Sequence, residues 1–244
     1  MNKTHDWDTQ QSKSAALPNF GKKYITEPAF LSMIGDVKGR EVLELGSGNG
    51  YWLEILAQQG AHCTGVEMSQ EQLKLAREKP NAGQIRYIEG NITTLEGCGL
   101  DPASYDTAIM EHVLLEISSK EKLTDIFRGL YTLLKTGGEV VIGDLHPFAP
   151  SSKPANLKTS DSFNYFSSGE TVEVVSHRID GEEIRYKDVH WTLEDLATPI
   201  TQAGFCITTI LEPRPSEELV QQYPNLLYRR TIPMAIMVKA IKNR

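Results

Sequence analysis

The 244-residue chain reads as an α/β protein, a doubly wound sheet of seven strands with helices on both faces and an inserted β-hairpin cap. Three observations predict this class. Short apolar runs of strand length alternate with amphipathic helical stretches between residues 41 and 145. Glycines at 46, 60, 137 and 138 fall where those segments change type. Two runs of alternating polarity, 171–179 and 182–189, then meet at Asp180-Gly181, and Asp-Gly between such runs signals a two-residue type I′ hairpin.

Residues 1–20 are polar and aperiodic, which predicts a loose arm ahead of a single domain over 21–244. Residues 41–45 form an apolar run ended by glycines, the pattern of a buried strand, and residues 51–59 a helix stopped by Gly60. A second unit follows, with a strand over 62–67 and a helix opened by Ser69, three residues before Gln72. Residues 84–89 and 105–110 supply two more strands. Ser118 with Glu121 predicts the start of a long helix carrying Leu123, Ile126, Phe127, Leu130, Leu133 and Leu134 on one face, and residues 139–145 form the fifth strand. Repeated units of this kind predict a parallel sheet, because parallel neighbours need crossovers that cover its faces. Residues from about 147 to 190 are the inserted cap. Thr192 with Asp195 then opens a helix ending at Gly204, and residues 205–212 and 234–241 complete the strands.

Composition removes several classes. Hydrophobic residues at 40% and charged residues at 23% are ordinary for a soluble globular protein, and the net charge of −7 disfavours a nucleic-acid backbone as partner. Cys63, Cys98 and Cys206 have no C-x-x-C spacing, so neither a disulfide framework nor a metal site is expected. No run of 18 apolar residues and no signal-type start occurs, so the expectation is a cytoplasmic protein without a membrane span.

The turn after the first strand carries the chemistry. Glu44-Leu45-Gly46-Ser47-Gly48-Asn49-Gly50 stands where open α/β sheets bind ligands, beyond the carboxyl ends of the strands. Three alternate glycines exceed what turning the chain requires and would let the backbone approach a ligand. Glu67 ends the second strand about 20 residues on, where a carboxylate can accept both hydroxyls of a ribose. A dinucleotide fingerprint has the spacing G-x-G-x-x-G; here it is G-x-G-x-G, with Tyr51 at the third fingerprint position. A nicotinamide-dependent (NAD(P)) oxidoreductase is therefore the disfavoured alternative.

The stretches V-L-E-L-G-S-G-N-G, G-V-E-M-S, Y-I-E-G-N-I, Y-D-T-A-I-M-E-H-V-L and L-L-K-T-G-G-E-V-V-I, in this order and spacing, resemble the class I S-adenosylmethionine-dependent methyltransferases, in particular their small-molecule branch called type 11. The resemblance runs from about Tyr24 to Lys242. It implies a Rossmann-like fold, S-adenosylmethionine as cofactor and methyl transfer to a small-molecule acceptor. It further implies that Gly46, Ser47 and Gly48 line the methionine and ribose portion, that Glu44 lies near the amino group, and that Glu67 holds the ribose diol. Met68 would pack on the adenine, Asn91 and Ile92 would touch its edge, and Glu111 would lie beside the methionine group. Asn91 stands where the family often has Asp, and Thr136 where it commonly has Pro. Tyr24 would close over the cofactor's carboxylate or simply pack.

Methyl transfer is an in-line displacement favoured by alignment in a dry pocket, and an acceptor that must lose a proton can use a general base. His112, just past the fourth strand, and His146, at the end of the fifth, are the catalytic candidates, against the plainer reading of structural histidines. His190 beside Trp191 is a third. Tyr165, Phe166 and Tyr186, with Phe163, would wall a planar or apolar acceptor or else form the cap's own core. Arg178 and Arg185 would sit on a solvated hairpin face. A binding protein that keeps the nucleotide pocket without an acceptor site is the remaining alternative.

Overall fold

A computed structural model describes residues 21–149, 163–177 and 183–243, without the side chains of 174–177, 183–186 and 225. The predicted arm at 1–20, the Asp180-Gly181 turn, Arg178 and the side chains of Arg185 and Tyr186 lie outside the described residues.

After a π-helical turn at Lys22–Thr26 the elements run α1 (Glu27–Ile34), β1 (Glu41–Leu45), α2 (Tyr51–Gln58), β2 (His62–Glu67), α3 (Gln70–Arg77), β3 (Ile85–Glu89), β4 (Tyr105–Glu111), α4 (Lys120–Leu133) and β5 (Leu134–Leu145). Then come β6 (Thr171–His177), β7 (Glu183–Val189), α5 (Leu193–Gln202), β8 (Phe205–Leu211), α6 (Glu217–Gln222) and β9 (Ala235–Lys242). Seven strands form one sheet in the order β3-β2-β1-β4-β5-β9-β8, and β6 pairs with β7 in a separate hairpin.

Alternation along the central strands explains the two layers of core. Leu43, Leu45, Ala108, Met110, Val140 and Ile142 face α4, whose Leu123, Ile126, Phe127 and Leu130 are fully buried. Val42, Ile109 and Val141 face the other way, onto Phe30 and Ile34 of α1 and Trp52, Leu53 and Leu56 of α2. Both faces are covered, as a parallel sheet requires.

Three expectations need correction. The sheet is mixed: β9 runs antiparallel to both β5 and β8, because β8 and β9 are adjacent and joined without a crossover. The long helix is capped one residue later than expected, with Ser119 rather than Ser118 accepting from the Lys122 amide at 3.2 Å. That helix gives way to strand at Leu134, ahead of Gly137-Gly138. The hairpin strands pair in unbroken register from Thr171 opposite Val189 to His177 opposite Glu183.

The order β2-β1-β4 creates the feature that matters. The chain leaves β1 toward β2 on one side and returns to β4 on the other, so the loops after β1 and β4 diverge and open a crevice at their carboxyl ends. Glu44, Glu67 and Glu111 all reach that edge.

Candidate active site

The loop after β1 is built on left-handed backbone, with φ of +72° at Gly46, +50° at Gly48 and +72° at Gly50. Only glycine adopts this without strain, so the turn itself requires all three, and the expectation that they exceed conformational need is corrected. Gly46 meets a second constraint, since a Cβ there would lie 2.7 Å from Val113 Cγ2 in the loop after β4. The Val113 side chain packs on the Gly46 backbone and leaves no room for a Cβ there. Ser47 is buried, packs its hydroxyl over Gly65 of β2, and has no partner for Oγ.

Glu67 binds that loop to the start of α3. Its Oε2 accepts from the Gly48 amide at 2.9 Å and its Oε1 from the Ser69 amide at 2.8 Å, so the carboxylate stands upright at the crevice edge. Met68 beside it is 54% exposed, the position of a side chain that would lie on a ring. Asn91 is exposed and differs from expectation. Its Oδ1 accepts from both the amide and the hydroxyl of Thr93, each at 2.9 Å, so the acceptor atom is committed to a local turn and the amide is what it presents outward. Ile92 packs partly buried against the core cluster on the α4 face.

Deeper in the crevice, Glu44 is 97% buried (3% exposed) and its Oε2 has no hydrogen-bond partner. Burial and the nearby Glu111 and Glu67 carboxylates push its pKa well above the usual range, against Lys22 and the Leu53 amide. Glu111 is the opposite case. Burial opposes its ionisation, but His112, Lys22 and the Trp52 indole hold it below the ordinary range. Trp52 Nε1 donates to Glu111 Oε2 at 2.7 Å and Lys22 Nζ does so at 3.1 Å. Lys22 reaches in from the π-helical turn with its ammonium 4.4 Å from the Tyr51 ring centroid, and Tyr51 donates its hydroxyl to Glu27 at 2.6 Å. Tyr24, 40% exposed, stacks on Tyr223 with centroids 6.1 Å apart.

His112 adopts φ +55°, a conformation uncommon outside glycine, with its amide bonded to Gly143 O at 2.9 Å. Its Nε2 lies 3.8 Å from Glu111 Oε1 and its Nδ1 3.8 Å from Asp144 Oδ1, and the ring is 44% exposed at the crevice. Surrounding protein disfavours charge on the ring, yet Glu111 and Asp144 outweigh it and raise the pKa. Asp144 is locked in turn, accepting from the amides of Leu114 at 3.2 Å and Leu145 at 2.8 Å.

His146 does not share this site. It is buried, its Nδ1 accepts from the Phe148 amide at 3.1 Å, and its Nε2 lies 3.0 Å from Glu212 Oε1. Burial lowers its pKa over the pull of Glu212, and its Nδ1 is already taken up by the Phe148 amide. That corrects its expected role as a base. His190 is likewise buried, with Nε2 2.8 Å from Tyr165 O and its ring edge-on to Phe163 and Tyr165. Tyr165 accepts from the Leu193 amide at 3.0 Å and stacks on Phe148. Phe166 is 81% exposed, with its ring edge-on to Tyr165.

Sequence reasoning missed Lys22, Trp52, Asp144 and Asp188. Asp144 had a signal, an acid inside an apolar strand, and Asp188 a weaker one, an acid two residues before His190. Lys22 and Trp52 had none, since their meeting with Glu111 spans 89 and 59 positions.

Residues 42–138 match the family model described as "Methyltransferase domain". Rat arsenite methyltransferase is 28% identical over 180 residues, which covers 68% of this chain and 42% of that protein. Ubiquinone biosynthesis O-methyltransferase of Aeromonas salmonicida is 28% identical over 112 residues, 46% of each chain. The chain thus spans less than half the length of these curated relatives. An S-adenosylmethionine-dependent methyltransferase from Mesorhizobium loti superposes with a TM-score of 0.69 at 23% identity, covering 88% of this chain and 96% of the other. A structure described as a DhpI-SAH complex gives 0.60 at 16% identity, covering 98% and 93%. At those identities the superpositions speak for the fold, a class I methyltransferase fold, and the family match spans the strands that build the crevice.

Proposed function

We propose that this protein transfers a methyl group from S-adenosylmethionine to a small-molecule acceptor. The observation that carries the reading is Glu44. A carboxyl group 97% buried at the mouth of a glycine cradle, with one oxygen unpartnered, is costly unless a donor meets it, and the cofactor's ammonium is such a donor. Glu67 would hold the ribose diol with the lone pairs its two amide contacts leave over. Gly46, Ser47 and Gly48 would line the methionine and ribose, Met68 the adenine face, and Asn91 and Ile92 its edge. Glu111 would keep Trp52 and Lys22 beside the methionine group, with Tyr24 above.

The cofactor supplies an activated methyl on a sulfonium, and the protein's part is alignment and proton handling. His112 is the residue for the second task, because its ring faces the crevice and Glu111 and Asp144 make it more basic than an ordinary histidine. An acceptor proton would pass to the imidazole in its neutral form. Cys63 and Cys98 are buried and Cys206 is exposed on β8, so a thiol-seeking acceptor such as arsenite finds no cysteine beside His112. Soluble, cytoplasmic operation on a small molecule fits the absence, among the described residues, of any helix long and apolar enough to cross a membrane.

Methyl-labelled S-adenosylmethionine offered with a chemically broad acceptor panel tests the reading. The expected result is saturable cofactor binding and label transfer to one chemical class. Absence of any cofactor binding would overturn it, and binding without transfer to any class would favour a regulatory protein.

A further inference from the structure

Two buried carboxyl groups near Glu111 and His112 have unpartnered oxygens, and the proposed cofactor would account for one of them. Glu44 lies on the cofactor side. Asp188, at the end of β7, is 97% buried, and neither of its oxygens has a hydrogen-bond partner. The cap hairpin carries it against the short helical turn Leu114–Glu116 that follows β4. The charged groups acting on it are Glu116 of that turn, Asp144 of β5 and His112 after β4. Asp188 thus lies near His112, and among the described residues none satisfies its oxygens.

We propose that the acceptor carries an amine nitrogen, and that Asp188, between Asp144 and Glu116, is the residue that anchors it. This rests on the methyltransferase reading and names the acceptor class of that site. A buried carboxyl group with neither oxygen paired requires a donor from outside the chain. Neighbouring Glu116 and Asp144 disfavour a ligand carboxylate or phosphate, because like charges repel. An alcohol offers Asp188 one donor and no charge, whereas an alkylammonium offers a donor to each oxygen and the charge that an ionised Asp188 pairs with.

Burial, with Glu116 and Asp144 adding to it against His112, raises Asp188 to about 8, so in the free protein it carries a proton near neutrality. Binding an ammonium then exchanges one cation for another: the ligand enters, Asp188 ionises, and its proton leaves to solvent. The net charge of the site is unchanged, and the exchange leaves a calorimetric trace.

The test titrates butylamine, benzylamine, benzyl alcohol and benzoate into the full chain, with and without S-adenosylhomocysteine, by calorimetry at pH 7 in buffers of different ionisation enthalpy. The amines are expected to bind and to release about one proton per ligand, as linkage requires for a carboxyl group ionised on binding. The alcohol and the acid are expected not to bind. Asp188→Asn, which keeps the shape of the side chain, should weaken amine binding at least about tenfold and abolish the proton release. Its affinity for S-adenosylhomocysteine should stay that of the parent, which reports that the variant is folded. Benzyl alcohol or benzoate binding as well as the amines, amine binding unaltered in Asp188→Asn, or no amine binding at all would overturn the proposal. Failure of S-adenosylhomocysteine to bind counts against the cofactor reading instead, and the amine titrations on the ligand-free chain still decide the anchor.

Discussion

A carboxylate accepting two backbone amides is fixed in direction, and Glu67 holds the loop after β1 to the start of α3 in this way. Glu67→Ala should weaken S-adenosylmethionine binding by about 1.5–3 kcal/mol, the range for hydrogen bonds to a charged group, read as a change in Kd by calorimetry; an unaltered Kd would remove Glu67 from the ribose. His112 calls for a pH measurement. Its pKa is raised, so its neutral, proton-accepting form grows only above the ordinary histidine range. The rate at saturating cofactor should therefore climb with pH through a midpoint above that range, and His112→Gln should flatten the climb and lower the plateau about tenfold or more. A parent profile already flat from pH 6 would assign the site to alignment alone. The candidate residues divided by distance along the chain. Gly46, Gly48, Glu67 and His112 stood out because short motifs displayed them. The commitment of Asn91 to Thr93 depended on a local turn that the sequence leaves open, and the burial of His146 against Glu212 on a contact across the sheet.

Among the elements, α5 shows how one side chain ties three segments together. Thr192 and Asp195 form a reciprocal capping box at its start, as their spacing predicts. The Asp195 carboxylate also pairs with Lys120 of α4 at 2.5 Å and accepts from Ser168 of the cap. Burial alone would raise its pKa, but Lys120, Ser168 and Thr192 together hold it at about 2. A carboxylate depressed on folding stabilises the fold above its unfolded value and loses that contribution as pH falls through the folded one. Asp195→Asn should cost about 1–2 kcal/mol at pH 7, allowing for solvent screening of the exposed Lys120. In a chain of this size that lowers Tm by about 2–8 °C. The difference from the parent should shrink between pH 4 and pH 2; a gap that persists at pH 2 would assign the effect to packing. The capping motif was legible in the sequence, whereas Lys120 and Ser168 lie 75 and 27 positions away and were not.

For the whole molecule, loops from both halves of the sheet meet buried acids in the crevice between β1 and β4, so ligand binding there should stabilise the entire fold. S-adenosylhomocysteine at 100 times its Kd should add about 2.7 kcal/mol, or about 5–10 °C in Tm at this chain length. NAD at equal concentration should add nothing, because no third glycine opens the helix start to a diphosphate and Tyr51 there is bonded to Glu27. Equal shifts from both ligands would return the dinucleotide alternative. Periodicity and glycine placement alone determined the strand count, the class of fold and the position of the glycine loop, since these follow from local conformational preference and the burial of regularly spaced apolar residues. Only the tertiary structure decided that β9 runs antiparallel, that Lys22 and Trp52 meet Glu111, and that Asp144 stands beside His112. Those outcomes depend on which segments pack against which, and the electrostatics of a buried acid is set by neighbours that the chain brings together only when it folds.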